Sequence, residues 1–307
     1  MGQLECRGCG SHRLETVFNR DATGGSAAPL LFCPDCLLVQ AGGSMPADCL
    51  FGSAYDFLSA SRPGRIRSAA DTALELTTSL GLGSDSLVLE LGSNDGTLLR
   101  AFAARGVRVL GVDPAPLPVR AAGEAGIPTI RAFFTEEVAS WLTRQGHAAD
   151  LVIARDVLGE VAEINDFVAG IARVLKPEGH VAVEFVSIVD RIQNGIAAEP
   201  CGESVLVLSL SALERLFRRH GLHLNEATRL ASGAIRVLAG TATRRSPALE
   251  VLLRAERENG IERAEFYRGA GTAERTANRR RDRRAHLPEP SAVAAPRRAG
   301  RPATAPH

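Results

Sequence analysis

Lysine is almost missing from this 307-residue chain: Lys176 stands alone against 35 arginines. That is a bias of coding composition and carries no functional information. Long apolar runs are missing too, and none approaches the roughly 18 residues that a membrane span requires, so no membrane association is expected. The opening Met1-Gly2-Gln3-Leu4-Glu5-Cys6 has neither a basic flank nor an apolar stretch. It reads against a secretory signal and leaves the cytoplasm as the expected compartment. Thiols stay reduced there, so the six cysteines read as metal ligands or buried thiols rather than disulfides.

The net charge of +1 is unevenly spread. Residues 275–307 hold nine arginines against Asp282 and Glu289, which leaves the rest of the chain at −6. A mildly acidic body reads against a specific nucleic-acid surface, although the tail can bind polyanions nonspecifically. Beyond Tyr267 large apolar residues almost vanish, so burial cannot offset the entropy of ordering, and disorder is expected over residues 268–307.

Residues 1–55 are rich in glycine and cysteine and lack sustained periodicity, which predicts a small module held by something other than a core. From Ser68 onward helical spacing alternates with short β-branched runs. The pattern predicts strands at 87–91, 107–112, 127–130, 150–154 and 180–186, and helices at 68–80, 96–105, 135–144 and 163–175. Such alternation implies an α/β unit with a parallel sheet covered on both faces. Ser211-Ala212-Leu213-Glu214 reads as a capping-box start to a helix ending near Gly221. A strand pair at 222–230 and 234–241 and a helix over 246–258 follow. The expected division is a metal module at 1–60, a nucleotide-fold domain at 61–245, a C-terminal helical part at 246–267 and the tail.

Two patterns carry chemistry. Cys6-Arg7-Gly8-Cys9 and Cys33-Pro34-Asp35-Cys36 are paired C-x-x-C knuckles, and four thiolates so spaced can close a tetrahedral zinc site with no position left for water. Cys49 and Cys201 lie outside that pattern and read as ordinary small residues. The second pattern is the apolar run Leu87–Leu91 entering Gly92-Ser93-Asn94-Asp95-Gly96, followed by Asp113 at the end of the next strand. A glycine turn opening a helix, with a terminal acid able to accept from both ribose hydroxyls, predicts nucleotide binding. Asn94 replaces the usual middle glycine but tolerates positive φ. The G-x-G-x-x-G of dinucleotide loops is absent, and Glu90 two residues before the first glycine favours a methyl donor over a hydride donor.

These residues resemble the nucleotide-sugar C-methyltransferases, in the run Glu90-Leu91-Gly92-Ser93-Asn94-Asp95-Gly96-Thr97-Leu98-Leu99. Gly111-Val112-Asp113-Pro114, Asn165-Asp166-Phe167, Leu175-Lys176-Pro177-Glu178-Gly179 and Tyr55-Asp56-Phe57-Leu58-Ser59-Ala60-Ser61 are similar to that family in the same order. The resemblance covers about residues 4–267. It implies a class I methyltransferase, Rossmann-like, with an N-terminal zinc-binding module. It also implies S-adenosylmethionine as cofactor, held at Glu90, Gly92, Asn94, Gly96 and Asp113, and Zn2+ on Cys6, Cys9, Cys33 and Cys36. The implied acceptor is a small molecule, a nucleotide-linked 4-keto-6-deoxy sugar methylated on the carbon beside its ketone.

The chain departs from that family at two places. The family's Tyr-His-Glu-His falls on Cys201-Gly202-Glu203-Ser204, leaving Glu203 as the candidate base, and the usual histidine after the fourth strand is Glu160. The family also continues into another α/β unit where this chain has its arginine-proline tail, as a truncated or frame-shifted gene would. Rival readings are a noncatalytic relative, an O- or N-methyltransferase, and a zinc-ribbon nucleic-acid-binding protein.

Overall fold

The computed structural model describes residues 4–18, 29–43, 51, 55–193 and 205–268. The tail expected to be disordered, apart from Arg268, lies outside these residues, as do Glu203, Cys49 and Cys201. Near the N-terminus β1 (Glu15–Phe18), β2 (Leu30–Phe32) and β3 (Val39–Ala41) pair antiparallel. A fourth strand, β9 (Leu206–Val207), joins them against β3 from far along the chain.

The expectation of a module without a core is corrected here. Leu30, Phe32, Leu37 and Val39 are buried in one cluster with Ile188, Val207, Ala212, Ile261 and Tyr267. Tyr267 lies 4.8 Å from Phe32 between ring centroids, and its hydroxyl donates to Ile261 O at 2.9 Å. Strands of three or four residues cannot hide both faces alone, so both ends of the chain share one core.

The second sheet has seven strands. Helix α1 (Pro63–Ser79) precedes β4 (Leu87–Leu91), and α2 (Thr97–Ala103), β5 (Arg108–Asp113), α3 (Pro116–Glu124) and β6 (Thr129–Arg131) follow. The chain then returns through α4 (Glu136–Arg144), β7 (Ala149–Arg155), α5 (Ile164–Val174) and β8 (Leu175–Phe185). Helices α6 (Ile188–Gln193) and α7 (Leu210–Arg219) lead to the hairpin β10 (His223–Arg229) and β11 (Ile235–Gly240), and α8 (Pro247–Glu258) closes the series. The strand order is β10-β11-β8-β7-β4-β5-β6. Only the β10–β11 and β11–β8 pairings in it are antiparallel. Because the chain leaves β4 on one side and returns on the other, a crevice opens at the carboxyl ends of β4 and β7.

Local sequence explains these elements. All five residues of β4 are buried, as both-face coverage demands. Helix α1 starts with proline at its first position and buries Ala69, Thr72, Ala73 and Leu76, a stripe of helical period. Arg236 of β11 donates to Glu184 of β8 at 2.7 Å and to Glu75 and Thr72 of α1 at 2.6 Å each, fastening that helix to the sheet. Among the described residues no helix is long and apolar enough to cross a membrane.

Two expectations shift. Helix α3 falls where the sequence pattern gives no helix; its Pro116 and Pro118 both sit in the first turn, where the amide they lack has no partner inside the helix. The helix expected to start at Ser211 is capped by Ser209, whose hydroxyl accepts from Ala212 N at 3.0 Å. Ser211 lies inside the first turn. Glu256 of α8, 5% exposed, accepts there from Leu210 N, Ser211 N and Ser211 Oγ at 2.7–2.8 Å.

A buried carboxylate at a helix N-terminus satisfies orphan amides and meets the positive end of the dipole. Glu256→Ala strips all three donors at once and should lower stability by about 2–4 kcal/mol in urea unfolding. An unchanged midpoint would mean that water replaces the carboxylate.

Candidate functional site

The turn after β4 needs backbone that side chains resist. Gly92 has φ +68, and a Cβ there would lie 3.1 Å from Val157 Cγ2. Asn94 takes φ +52, the left-handed conformation expected of it. Gly96, at φ +72, is the N-cap of α2, and its missing Cβ would press on Ile127 at 3.0 Å.

Asp113 ends β5, 6% exposed. Its Oδ2 accepts from Asn94 N at 2.8 Å and its Oδ1 from Ala115 N at 2.9 Å. Burial raises its pKa, and those two amides pull it back. Each carboxylate oxygen keeps a further lone pair for a ligand hydroxyl. Glu90, 3% exposed, is pushed up to about 8 by burial, and its Oε2 has no hydrogen-bond partner.

Asn94 and Asp95 use their side chains elsewhere. Asn94 Oδ1 accepts from Ser59 N at 2.8 Å and its Nδ2 donates to Phe57 O at 3.1 Å. Asp95 Oδ2 accepts from Ala60 N at 2.7 Å, while its Oδ1 takes the Thr97 amide and hydroxyl. The turn thereby straps residues 57–60 across itself.

A cavity of about 670 Å³ opens above this turn, with Glu90, Gly92, Asn94 and Asp113 in its lining. Gly96 is not in that lining; it shapes the turn. Its lining includes the aromatic side chains of Phe51, Tyr55, Phe57, Phe133 and Phe134 and the charged residues Arg155, Asp156, Glu160, Glu163 and Asp166. Asp156 has φ +60 and pairs with Arg65 at 3.4 Å. Among the described residues no histidine or lysine lines the cavity. Arg155, Asp156 and Phe133 went unnoticed as site residues in the sequence. For the first two the available signal was position, since they follow the strand beside β4 at the switch point.

The four cysteines also meet. Their Sγ atoms lie within 4.8 Å of one another, with Cys6 and Cys36 at 3.3 Å and Cys9 and Cys33 at 3.5 Å. Both knuckles share one backbone design. Gly10 N bonds Cys6 O and Leu37 N bonds Cys33 O, each at 2.8 Å, and each donor residue has positive φ. Hydrogen bonding to Cys33 raises the pKa of Cys6 and Cys36 and lowers that of Cys33 itself. Sulfurs placed tetrahedrally at ~2.3 Å from a zinc ion stand roughly 3.8 Å apart, so this donor set fits that ion.

Comparison with known proteins agrees with this geometry. Residues 62–227 match the family described as methyltransferase domain. The C-methyltransferase NovU of Streptomyces niveus is 32% identical over 259 residues, which are 81% of this chain and 60% of NovU. A ubiquinone biosynthesis O-methyltransferase of Methylobacterium sp. (strain 4-46) is 29% identical over 114 residues, 36% of this chain and 43% of that protein. The chain therefore spans less than two thirds of either relative. Among solved structures, the CcbJ methyltransferase from Streptomyces caelestis aligns with 57% of this chain and 90% of its own, at 16% identity and a TM-score of 0.45. With the family match covering more than half of its length and a strand order that reverses at β4, the chain belongs to the methyltransferase domain family and has the fold of the class I, S-adenosylmethionine-dependent methyltransferases.

Proposed function

We propose that the cavity above the glycine turn binds S-adenosylmethionine and a small-molecule acceptor, a nucleotide-linked 4-keto-6-deoxy sugar methylated on the carbon beside its ketone. The observation that carries this reading is Glu90, a buried carboxylate with an unpartnered oxygen in the cavity lining, beside Asp113 on the next strand. When bound, the donor supplies an electrophilic methyl on a positively charged sulfur. Asp113 offers its free lone pairs to ribose hydroxyls, and Glu90, on giving up its proton, offers negative charge to a cation. The 32% identity to a protein named as a C-methyltransferase supports carbon as the site of attack.

Carbon attack needs a base to take the proton beside the ketone and a donor to hold the resulting oxyanion. Glu203 is our proposed base, and it lies outside the described residues. Arg155 in the cavity lining is a cation suited to the oxyanion. A second reading, O-methylation, draws on the O-methyltransferases that match a third of the chain. We also propose that Cys6, Cys9, Cys33 and Cys36 hold a structural zinc, and metal analysis should return about one zinc per chain.

Donor binding is tested by calorimetry. Asp113→Ala should weaken it by about 1–3 kcal/mol, and equal affinity would remove Asp113 from the site.

Glu90 adds a pH signature. Its folded-state pKa of about 8 stands above the ordinary 4.5, so the folded, ligand-free chain holds a proton that the unfolded chain releases. That contribution is complete below about pH 4.5 and is lost as pH rises through about 8. Relative to Glu90→Gln, the parent should lose melting temperature between pH 5 and 8, while its affinity for the cationic donor rises across the same window. Parallel stability curves for the two proteins would contradict the assignment.

For the acceptor, Glu203→Gln should cut turnover of a 4-keto-6-deoxy nucleotide sugar by roughly 100- to 10,000-fold with donor affinity unchanged. Full turnover by that variant would move the base to another residue. Turnover on a hydroxyl acceptor, with none on the keto-sugar, would favour O-methylation.

A further inference from the structure

Two stretches of the cavity lining are held by different parts of the chain. The glycine turn is tied to its own surroundings, through Asn94 to Ser59 and Phe57, Asp95 to Ala60, and Asp113 to Asn94 and Ala115. The stretch of cavity lining around residues 160–166 is tied to the cysteine knuckle. Arg7 lies between Cys6 and Cys9, and its Nη1 donates to Ala162 O at 3.2 Å. Its own carbonyl accepts from Asn165 Nδ2 at 2.5 Å. Asn165 is held in turn by His220 Nε2, 3.1 Å from its Oδ1. The Arg7 amide is fixed from below, donating at 2.8 Å to Gln40 Oε1, whose Nε2 donates to Glu5 O at 3.0 Å.

We propose that Arg7 and Asn165 are positioning residues that couple the four-cysteine metal site to the wall of the cavity at residues 158–166, so that the metal orders this wall without contributing to donor binding at the glycine turn. The inference rests on the zinc reading above. Its physical basis is short. A metal bound by Cys6 and Cys9 fixes the dihedrals of the two residues between them. Arg7 then presents a carbonyl and a guanidinium in fixed directions, and these pin Ala162 and Asn165. Ala162, Glu163 and Asp166 line the cavity, and Asn165 stands between them in sequence. Loss of the metal releases those dihedrals, and Arg7 then no longer holds the wall in one position.

Amide hydrogen exchange on the full chain tests this without knowledge of the acceptor. Zinc content is measured first, so that absence of zinc would reject the zinc reading by itself. With zinc bound, its removal by chelator should speed exchange in residues 158–166 at least tenfold, leave residues 88–99 unchanged and keep S-adenosylmethionine affinity within twofold. Asn165→Ala, which leaves all four cysteines in place, should retain zinc and speed exchange in 158–166. In that variant zinc removal should loosen the wall by clearly less than it does in the parent, because the link through the Arg7 carbonyl is already cut and only that through Ala162 remains. The proposal is overturned if zinc removal loosens only residues 4–43, if donor affinity falls in step with wall exchange, or if the effects of chelation and Asn165→Ala on the wall simply add.

Discussion

The hydrogen bond from the Asn94 amide to Asp113 joins the turn after β4 to the end of β5, and the cavity floor depends on it. A charge-assisted bond of 2.8 Å in a buried site is strong, and it does two things. It stabilises Asn94 in a left-handed conformation that costs a non-glycine residue energy. Together with the Ala115 amide it also opposes the burial that raises the Asp113 pKa. With Asn94 fixed, its side chain can hold Ser59 and Phe57, and residues 57–60 gain a seat over the turn. One bond thus joins the turn, the strap over it and the candidate ribose acceptor.

The N-terminal sheet cannot be understood as a separate bead on the chain. It borrows β9, packs Phe32 against Tyr267, and sets three of its cysteines in the same apolar cluster as Phe134, Leu158 and Phe167. Short strands gain stability here from partners distant in sequence. A loss of packing at residues 261–267 would therefore be felt at β2, more than 200 residues away.

How much of this was legible follows from where each interaction closes. Strands β4 and β7 were readable because burial on both faces leaves a continuous apolar run, and the turn was readable because Gly92 and Asn94 are local answers to a local backbone demand. The cysteine pairs were readable by spacing, yet nothing marks Leu37 as the left-handed residue where the first knuckle uses Gly10. Helix α3 was not read, although the cost of its prolines vanishes in a first turn. Glu256 was hidden by separation, since the amides it caps lie 45 and 46 residues earlier. The closeness of Gly96 to Ile127 was not readable, because a motif fixes where a glycine falls and not which neighbour it makes room for.

Charge in the cavity bears on how the proposed acceptor sits. Its lining holds the carboxyl groups of Glu90, Asp113, Asp156, Glu160, Glu163 and Asp166 against the guanidinium groups of Arg65 and Arg155. Such a cavity favours a cationic donor over the thioether product, which has lost the sulfonium charge, and so helps release after transfer. The same field opposes a diphosphate near the floor, and Arg65 is already engaged by Asp156. Under the proposed function, a nucleotide-linked acceptor would therefore enter sugar first, with its phosphates kept outside the acidic part of the cavity by the same field that draws in a cationic donor.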